Sequence, residues 1–228
     1  MGTMNTRVPI GLYAITDSQL TPPATLIASV EAAIRGGTVM VQYREKLAPT
    51  AERLAQARNL QSICAAAGVP LLINDDVELA KRVGAAGVHL GQTDGSAAEA
   101  RCLLGDNAII GITCHADLAL AQTAIDAGAD YLAFGRFFTS STKPEASAAS
   151  TDILAKAKRF NRPVTAIGGI TTQNGELLIR AGADLLAVAG GLFGGSPEAT
   201  EQKAKTFQRL FASHHPLFQS PDNWSSHK

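Results

Sequence analysis

Ser140, Ser141, Thr142 and Lys143 stand in succession, shortly after the apolar run Tyr131, Leu132, Ala133 and Phe134. Three short hydroxyl donors followed by a compact cation can converge on the oxygens of a phosphate. The plain alternative is a solvated Ser/Thr turn. Other apolar runs in the chain end in equally polar but different sets, which favours one shared site.

The second apolar run leads into Gln42, Tyr43, Arg44, Glu45 and Lys46. Alternation along a strand sends Gln42, Arg44 and Lys46 to one side. Two cations and an amide on one face suit a polyphosphate better than a surface turn. The third run ends in Asn74, Asp75 and Asp76, and the fourth passes through His89 to Asp94. Carboxylates from adjacent runs, without neighbouring His or Cys, suit Mg²⁺ completed by substrate phosphates and water. The expected metal ligands are Asp75 and Asp94. Asp76 reads instead as a helix N-cap, and N-capping is also the alternative for Asp94. His89 reads as a hydrogen-bonded core residue. The fifth run ends in Thr113, Cys114 and His115; Thr113 and His115 are expected on one face, with Thr113 as an anion donor. Gly168 and Gly169, then Ala189 and Gly190, end the last two runs. Small residues there let backbone N–H groups approach a phosphomonoester.

These ends need a scaffold that gathers them. Eight short apolar runs, at residues 11–16, 40–44, 71–74, 87–90, 109–114, 131–135, 164–170 and 185–190, read as parallel strands buried on both faces. Alanine- and leucine-rich stretches with helical spacing lie between them, notably at 51–67, 118–127 and 153–160. Glycines at Gly36, Gly68, Gly128 and Gly182 are placed to end helices in a left-handed turn. A degenerate repeat links Ala127, Gly128, Ala129 and Asp130 with Ala181, Gly182, Ala183 and Asp184, each followed by a strand. Eight such units point to an α/β fold, a single (β/α)8 TIM barrel with its active site at the C-terminal ends of the strands. An open doubly wound sheet would usually carry a glycine-rich turn after the first strand, and Ile15, Thr16 and Asp17 offer none. The barrel is expected over residues 1–213, with a flexible C-terminal tail at 214–228.

Twenty basic and twenty acidic residues cancel across 228 positions, so no global field favours nucleic acid or a membrane surface. Any anion site must be local. No apolar stretch approaches the ~20 residues needed to span a bilayer. Cys64, Cys102 and Cys114 have no metal-like spacing and read as reduced thiols of a cytoplasmic protein. Whether the chain forms a homo-oligomer is left open.

Two anion sites facing each other emerge from this reading. A cationic, metal-assisted site at strands two to six suits a pyrophosphate ester. A neutral backbone cradle at strands seven and eight suits a monophosphate. Group transfer from the first to the second is the implied chemistry.

In order along the chain stand Tyr13, Ala14, Ile15, Thr16 and Asp17; Gln42, Arg44 and Lys46; Asn74 and Asp75; His89, Gly91, Gln92 and Asp94; Ser140, Thr142 and Lys143; and Ala166 to Ile170. With these motifs the chain resembles the thiamine-phosphate synthase family over roughly residues 11–193. The resemblance implies condensation of 4-amino-2-methyl-5-hydroxymethylpyrimidine diphosphate with a thiazole phosphate, giving thiamine monophosphate and pyrophosphate. It implies Mg²⁺ on Asp75 and Asp94. It places Gln42, Tyr43, Arg44, Glu45, Lys46, Asn74, Thr113 and Lys143 around the pyrimidine diphosphate. It places Ser140, Ser141, Thr142, Gly169, Ala189 and Gly190 around the thiazole phosphate. Lys143, Arg44 and Thr113 are then expected to stabilise the leaving pyrophosphate. The family often has Ser where Thr113 stands, Pro where Arg136 stands, and Ser near Gly190. The rival readings are a thiazole tautomerase of the same superfamily, which would be expected to lack Asp94 and the Ser140, Thr142, Lys143 set, and a non-catalytic phosphate-binding barrel.

Overall fold

A computed structural model describes residues 7–138 and 149–219. Eight parallel strands close into a barrel in sequence order, β1 (Gly11–Ile15), β2 (Met40–Tyr43), β3 (Leu71–Asn74), β4 (Gly87–Leu90), β5 (Ile109–His115), β6 (Tyr131–Gly135), β7 (Val164–Ile167) and β8 (Leu185–Val188), with β8 pairing back onto β1. Each strand is covered outside by helices and filled inside by side chains. That two-sided burial is why the strands are continuous apolar runs.

The helices are α1 (Leu26–Arg35), α2 (Thr50–Ala66), α3 (Val77–Val83), α4 (Ala97–Leu104), α5 (Leu118–Asp126), α6 (Asp152–Ala157), α7 (Gly175–Arg180), α8 (Pro197–His214) and a short α9 (Pro216–Gln219). Their ends are set locally. Asp76 caps α3 by accepting from the Leu79 N–H at 2.8 Å, as its sequence position suggests. Ser96 and Glu99 form a reciprocal capping box on α4. Ser196 caps α8, with Pro197 in the first turn. Along α8, Thr200, Ala204, Phe207 and Phe211 face inward at helical spacing.

Gly68, Gly128 and Gly182 adopt positive φ after their helices, as expected. Gly36 does not: its φ is −79°, and the left-handed residue is Gly37 at φ 98°. Gly36 serves packing instead, since a Cβ there would lie 2.4 Å from the Ala204 Cβ on α8.

Strands β7 and β8 stop earlier than expected, at Ile167 and Val188. Gly168 at φ 105° and Gly169 at φ 66° turn the chain out of the extended region directly after β7. The boundary expected at residue 213 also moves. Helix α8 runs to His214, His215 is buried, and α9 follows to Gln219. His215 Nε2 lies 3.1 Å from Asp184 Oδ1, which ties this end to the lower rim of the barrel. The rest of the expected tail, 220–228, lies outside the described residues.

Candidate active site

Inside the barrel, side chains of alternate residues form stacked layers. Tyr13, Ile15, Met40, Leu72, Ile109, Tyr131, Leu185 and Ala187 fill its lower part. Above them a line of polar groups crosses the interior. Gln42 Nε2 is 2.5 Å from Tyr13 Oη, which is 3.0 Å from Tyr131 Oη. Tyr131 Oη is 2.8 Å from His89 Nδ1, and His89 Nε2 is 2.9 Å from Thr113 Oγ1. His89 is thus a satisfied interior residue, as its sequence context suggests. Burial lowers its pKa to about 4, against a small opposing pull from Asp94. The same burial pushes both phenols upward.

The rim above this line is charged. Lys46 Nζ lies 3.4 Å from Asp75 Oδ2, and Arg44 lies 3.8 Å from Asp17. Asp75 sits at φ 64°, a left-handed conformation that Asp tolerates better than most residues. Its N–H continues the ladder to the His89 carbonyl at 3.0 Å. Asp94 Oδ2 accepts from the Gly91 N–H at 2.9 Å. Asp94 does not cap a helix; Ser96 does that for α4. Burial raises the Asp75 pKa, and the Asp94 carboxylate raises it further by hydrogen bonding and charge, while Lys46 opposes both. The two carboxylates therefore face one another closely enough for one to resist ionisation. A divalent cation suits such a pair. Among the described residues no group of three or more His, Cys, Asp or Glu forms a metal cage, so any ion held here needs ligands beyond the protein's side chains of those types. An open cleft of about 510 Å³ runs outward from this point, lined by Lys46, Asn74, Asp75, Asp76 and Arg53 among others.

Not every expected residue turns toward the site. Tyr43 lies on the outer face of β2, buried in the helix layer, and donates to Gln56 Oε1 on α2 at 2.8 Å. Glu45 Oε1 accepts from the Leu47 and Ala48 N–H groups and the Ser18 hydroxyl. Burial works against its charge, but these donors outweigh it and hold the pKa low. Glu45 thus shapes the loop that presents Arg44 and Lys46. Thr113 and His115 do not share a face. A register shift between them breaks the alternation, and His115 is exposed at φ 50°. Cys114 is buried and its pKa rises to about 12, so it offers no thiolate nucleophile. Ser140, Ser141, Thr142 and Lys143 lie outside the described residues.

At the far rim, Asn174 Nδ2 donates to the Gly169 carbonyl at 3.0 Å and fixes the turn after β7. Gly168 packs hard against Arg136, where a Cβ would lie 2.2 Å from the Arg136 Cβ. After β8, Gly190 is exposed, and the nearest atom to an added Cβ is Leu20 Cδ1 at 3.7 Å. Its neighbour Gly191 is the constrained one, with the Ile170 carbonyl oxygen 2.0 Å from an added Cβ.

Sequence reasoning did not assign Tyr13 and Tyr131 to the polar line. A signal existed: both are inward-facing phenols, and Gly111, beside Tyr131 on β5, leaves room for its ring.

The chain matches the family model described as thiamine monophosphate synthase over residues 12–192. It is 65% identical over 218 residues to a thiamine-phosphate synthase of Marinobacter nauticus, covering 96% of this chain and 98% of the relative. A thiamine phosphate pyrophosphorylase structure from Pyrococcus furiosus superposes with a TM-score of 0.80 at 30% identity, covering 90% of this chain and 96% of that one. A thiamine phosphate pyrophosphorylase structure from Bacteroides thetaiotaomicron, at 16% identity, shares the fold with a TM-score of 0.65 over 90% of this chain and all of that one. The family match spans the barrel from β1 to β8. The chain belongs to the thiamine-phosphate synthase family.

Proposed function

We propose that this transferase of thiamine biosynthesis divides its two substrates between opposite rims of the barrel. The pyrimidine diphosphate lies over β2 to β5, against Gln42, Arg44, Lys46, Asn74 and Thr113. The thiazole phosphate lies over β7 and β8, against the backbone at Gly168, Gly169, Ala189 and Gly190. By their place in the sequence motif, Ser140, Ser141 and Thr142 are assigned to the thiazole phosphate and Lys143 to the pyrimidine diphosphate. The observation that carries this reading is the meeting of Lys46, Asp75 and Asp94, a cation and two carboxylates where a diphosphate and its ion need them.

Asp75 and Asp94 fit Mg²⁺, because the proximity of two carboxylates is unfavourable without a cation between them. When bound, the ion would offset charge on the diphosphate and on the leaving pyrophosphate. The protein's own part is positioning and charge stabilisation. Arg44, Lys46 and Lys143 stabilise the departing oxygens as the C–O bond of the pyrimidine breaks. The aminopyrimidine supports the developing cation. The thiazole nitrogen brings its own lone pair, so no general base is required, and alignment on the far rim completes the reaction. The neutral His89 and protonated Cys114 fit a site without acid–base machinery.

A cytoplasmic setting is supported by three free cysteines. No helix among the described residues is long and apolar enough to cross a membrane.

Separate binding measurements test the division. Arg44→Ala and Lys46→Ala should weaken the pyrimidine diphosphate and leave the thiazole phosphate unaffected. Weakening of the thiazole phosphate alone would reverse the assignment.

A further inference from the structure

We propose that Tyr13, Tyr131 and His89 form a one-way hydrogen-bond relay that fixes the Thr113 hydroxyl as a donor toward the bound diphosphate. They are positioning residues, acting through Thr113 rather than touching the reacting atoms. The inference rests on the placement of the pyrimidine diphosphate over β2 to β5.

The direction follows from counting protons. Gln42 turns its amide nitrogen to Tyr13, and an amide nitrogen only donates. Tyr13 Oη therefore accepts there, which leaves its single proton free for Tyr131 Oη, 3.0 Å away, and that is the direction the relay takes. Tyr131 then spends its own proton on His89 Nδ1 at 2.8 Å. An Nδ1 that accepts carries no proton, so the neutral ring holds its proton on Nε2. Nε2 donates to Thr113 Oγ1 at 2.9 Å. With that lone pair occupied, the Thr113 hydroxyl proton cannot point back at His89. Thr113 is half-buried at the upper end of β5, so its proton is directed away from the relay and into the site.

The reverse direction would start from the Gln42 carbonyl oxygen and end with Thr113 donating to His89. Thr113 would then present only lone pairs to an anion. Each link polarises the next, so a single direction is reinforced along the line.

The scaffold is built for this contact. His89 stands level with Gly111 on β5, and Gly111 stands level with Tyr131 on β6. The missing side chain at position 111 lets the phenol reach across β5. The His89 and Tyr131 rings lie nearly parallel, 5.6 Å apart at 22°.

NMR of the full chain labelled with ¹⁵N-histidine, without substrate, decides the direction. His89→Gln identifies the His89 signals by their loss. The expected spectrum is a neutral ring with its proton on Nε2. A proton on Nδ1 overturns the relay, and so does a doubly protonated ring at pH 7. Tyr131→Phe keeps the ring and deletes the link. It should release the tautomer to a mixture and lower kcat roughly tenfold, with the KM for the thiazole phosphate unchanged. His89→Gln keeps an N–H donor for Thr113 and should retain more activity than His89→Leu. An unchanged tautomer and kcat in Tyr131→Phe would overturn the relay. The expected tautomer combined with a change in thiazole phosphate KM alone would keep the relay and overturn the substrate placement.

Discussion

Gly111 and Tyr131 stand in register on adjacent strands, and a Cβ at position 111 would lie 1.9 Å from the Tyr131 ring. The glycine is a hole that the phenol fills. Gly111→Ala should therefore push the ring from His89 and overpack the barrel. Overpacking costs about 1–3 kcal/mol, or roughly 2–4 °C in Tm per kcal/mol for a chain of this size. Thermal unfolding checks it. An unaltered Tm with intact activity would show that the ring has room elsewhere.

The Asp75 and Asp94 pair makes a prediction about pH and metal. The folded-state pKa of Asp75 is raised, first by burial and then by Asp94. A raised carboxyl pKa favours the folded state while the proton is bound. Stability should therefore be greatest below the ordinary Asp pKa and decline as pH rises through the raised folded value. Solvent screening keeps this below ~1 kcal/mol. Asp94→Asn removes the repelling charge, so without metal at neutral pH it should be as stable as wild type or more so. Mg²⁺ should stabilise wild type by about 2.7 kcal/mol at a hundredfold excess over Kd and the variant far less. Equal Mg²⁺ stabilisation of both proteins would remove Asp94 from the ion site.

Gly190 and Gly191 should behave oppositely. Gly190 has open space, so Gly190→Ser should fold and keep or lower the KM for the thiazole phosphate. Gly190→Leu should raise that KM by filling the cradle. Gly191→Ala should lose stability, because the Ile170 carbonyl oxygen occupies the place of a Cβ. Steady-state kinetics and denaturation separate the pair. An unchanged KM in Gly190→Leu would show that β8 does not hold this substrate.

The barrel was legible because two-sided burial writes each strand as an apolar run. The charged rim was legible because Arg44, Lys46, Asp75 and Asp94 have no packing reason to end such runs. Asp76 was legible as a cap, since its partner lies three residues away. What escaped depends on distant neighbours. The Tyr13 and Tyr131 contact joins strands that are not adjacent, and the stricter role of Gly191 depends on a carbonyl at Ile170. The separation of Thr113 from His115 comes from a register shift against β6 that no local pattern encodes. Tyr43 was assigned by its neighbours in a motif, although alternation alone turns it outward with the helix layer.

Lys143 should act mainly in the transition state. Pyrophosphate gains charge as the C–O bond breaks, so an ammonium beside it acts more strongly then than in the ground state. Lys143→Ala should lower kcat more than it raises the KM for the pyrimidine diphosphate. Loss of one such donor costs about 2.7–4 kcal/mol, or about 10²–10³ in rate. Lys143→Arg should recover only part, because a planar fork does not replace a point charge. A raised KM with kcat unchanged would leave Lys143 a docking residue.

Pyrophosphate release is the most direct measurement of the proposed site. It should be followed with both substrates across a Mg²⁺ titration, for wild type and for Asp94→Ala shown to be folded. Release should require both substrates and Mg²⁺ in wild type, and should nearly vanish in Asp94→Ala at every Mg²⁺ concentration. Near-normal release by the folded variant, with the Mg²⁺ dependence of wild type, would contradict the placement of the diphosphate and its ion over Asp75 and Asp94.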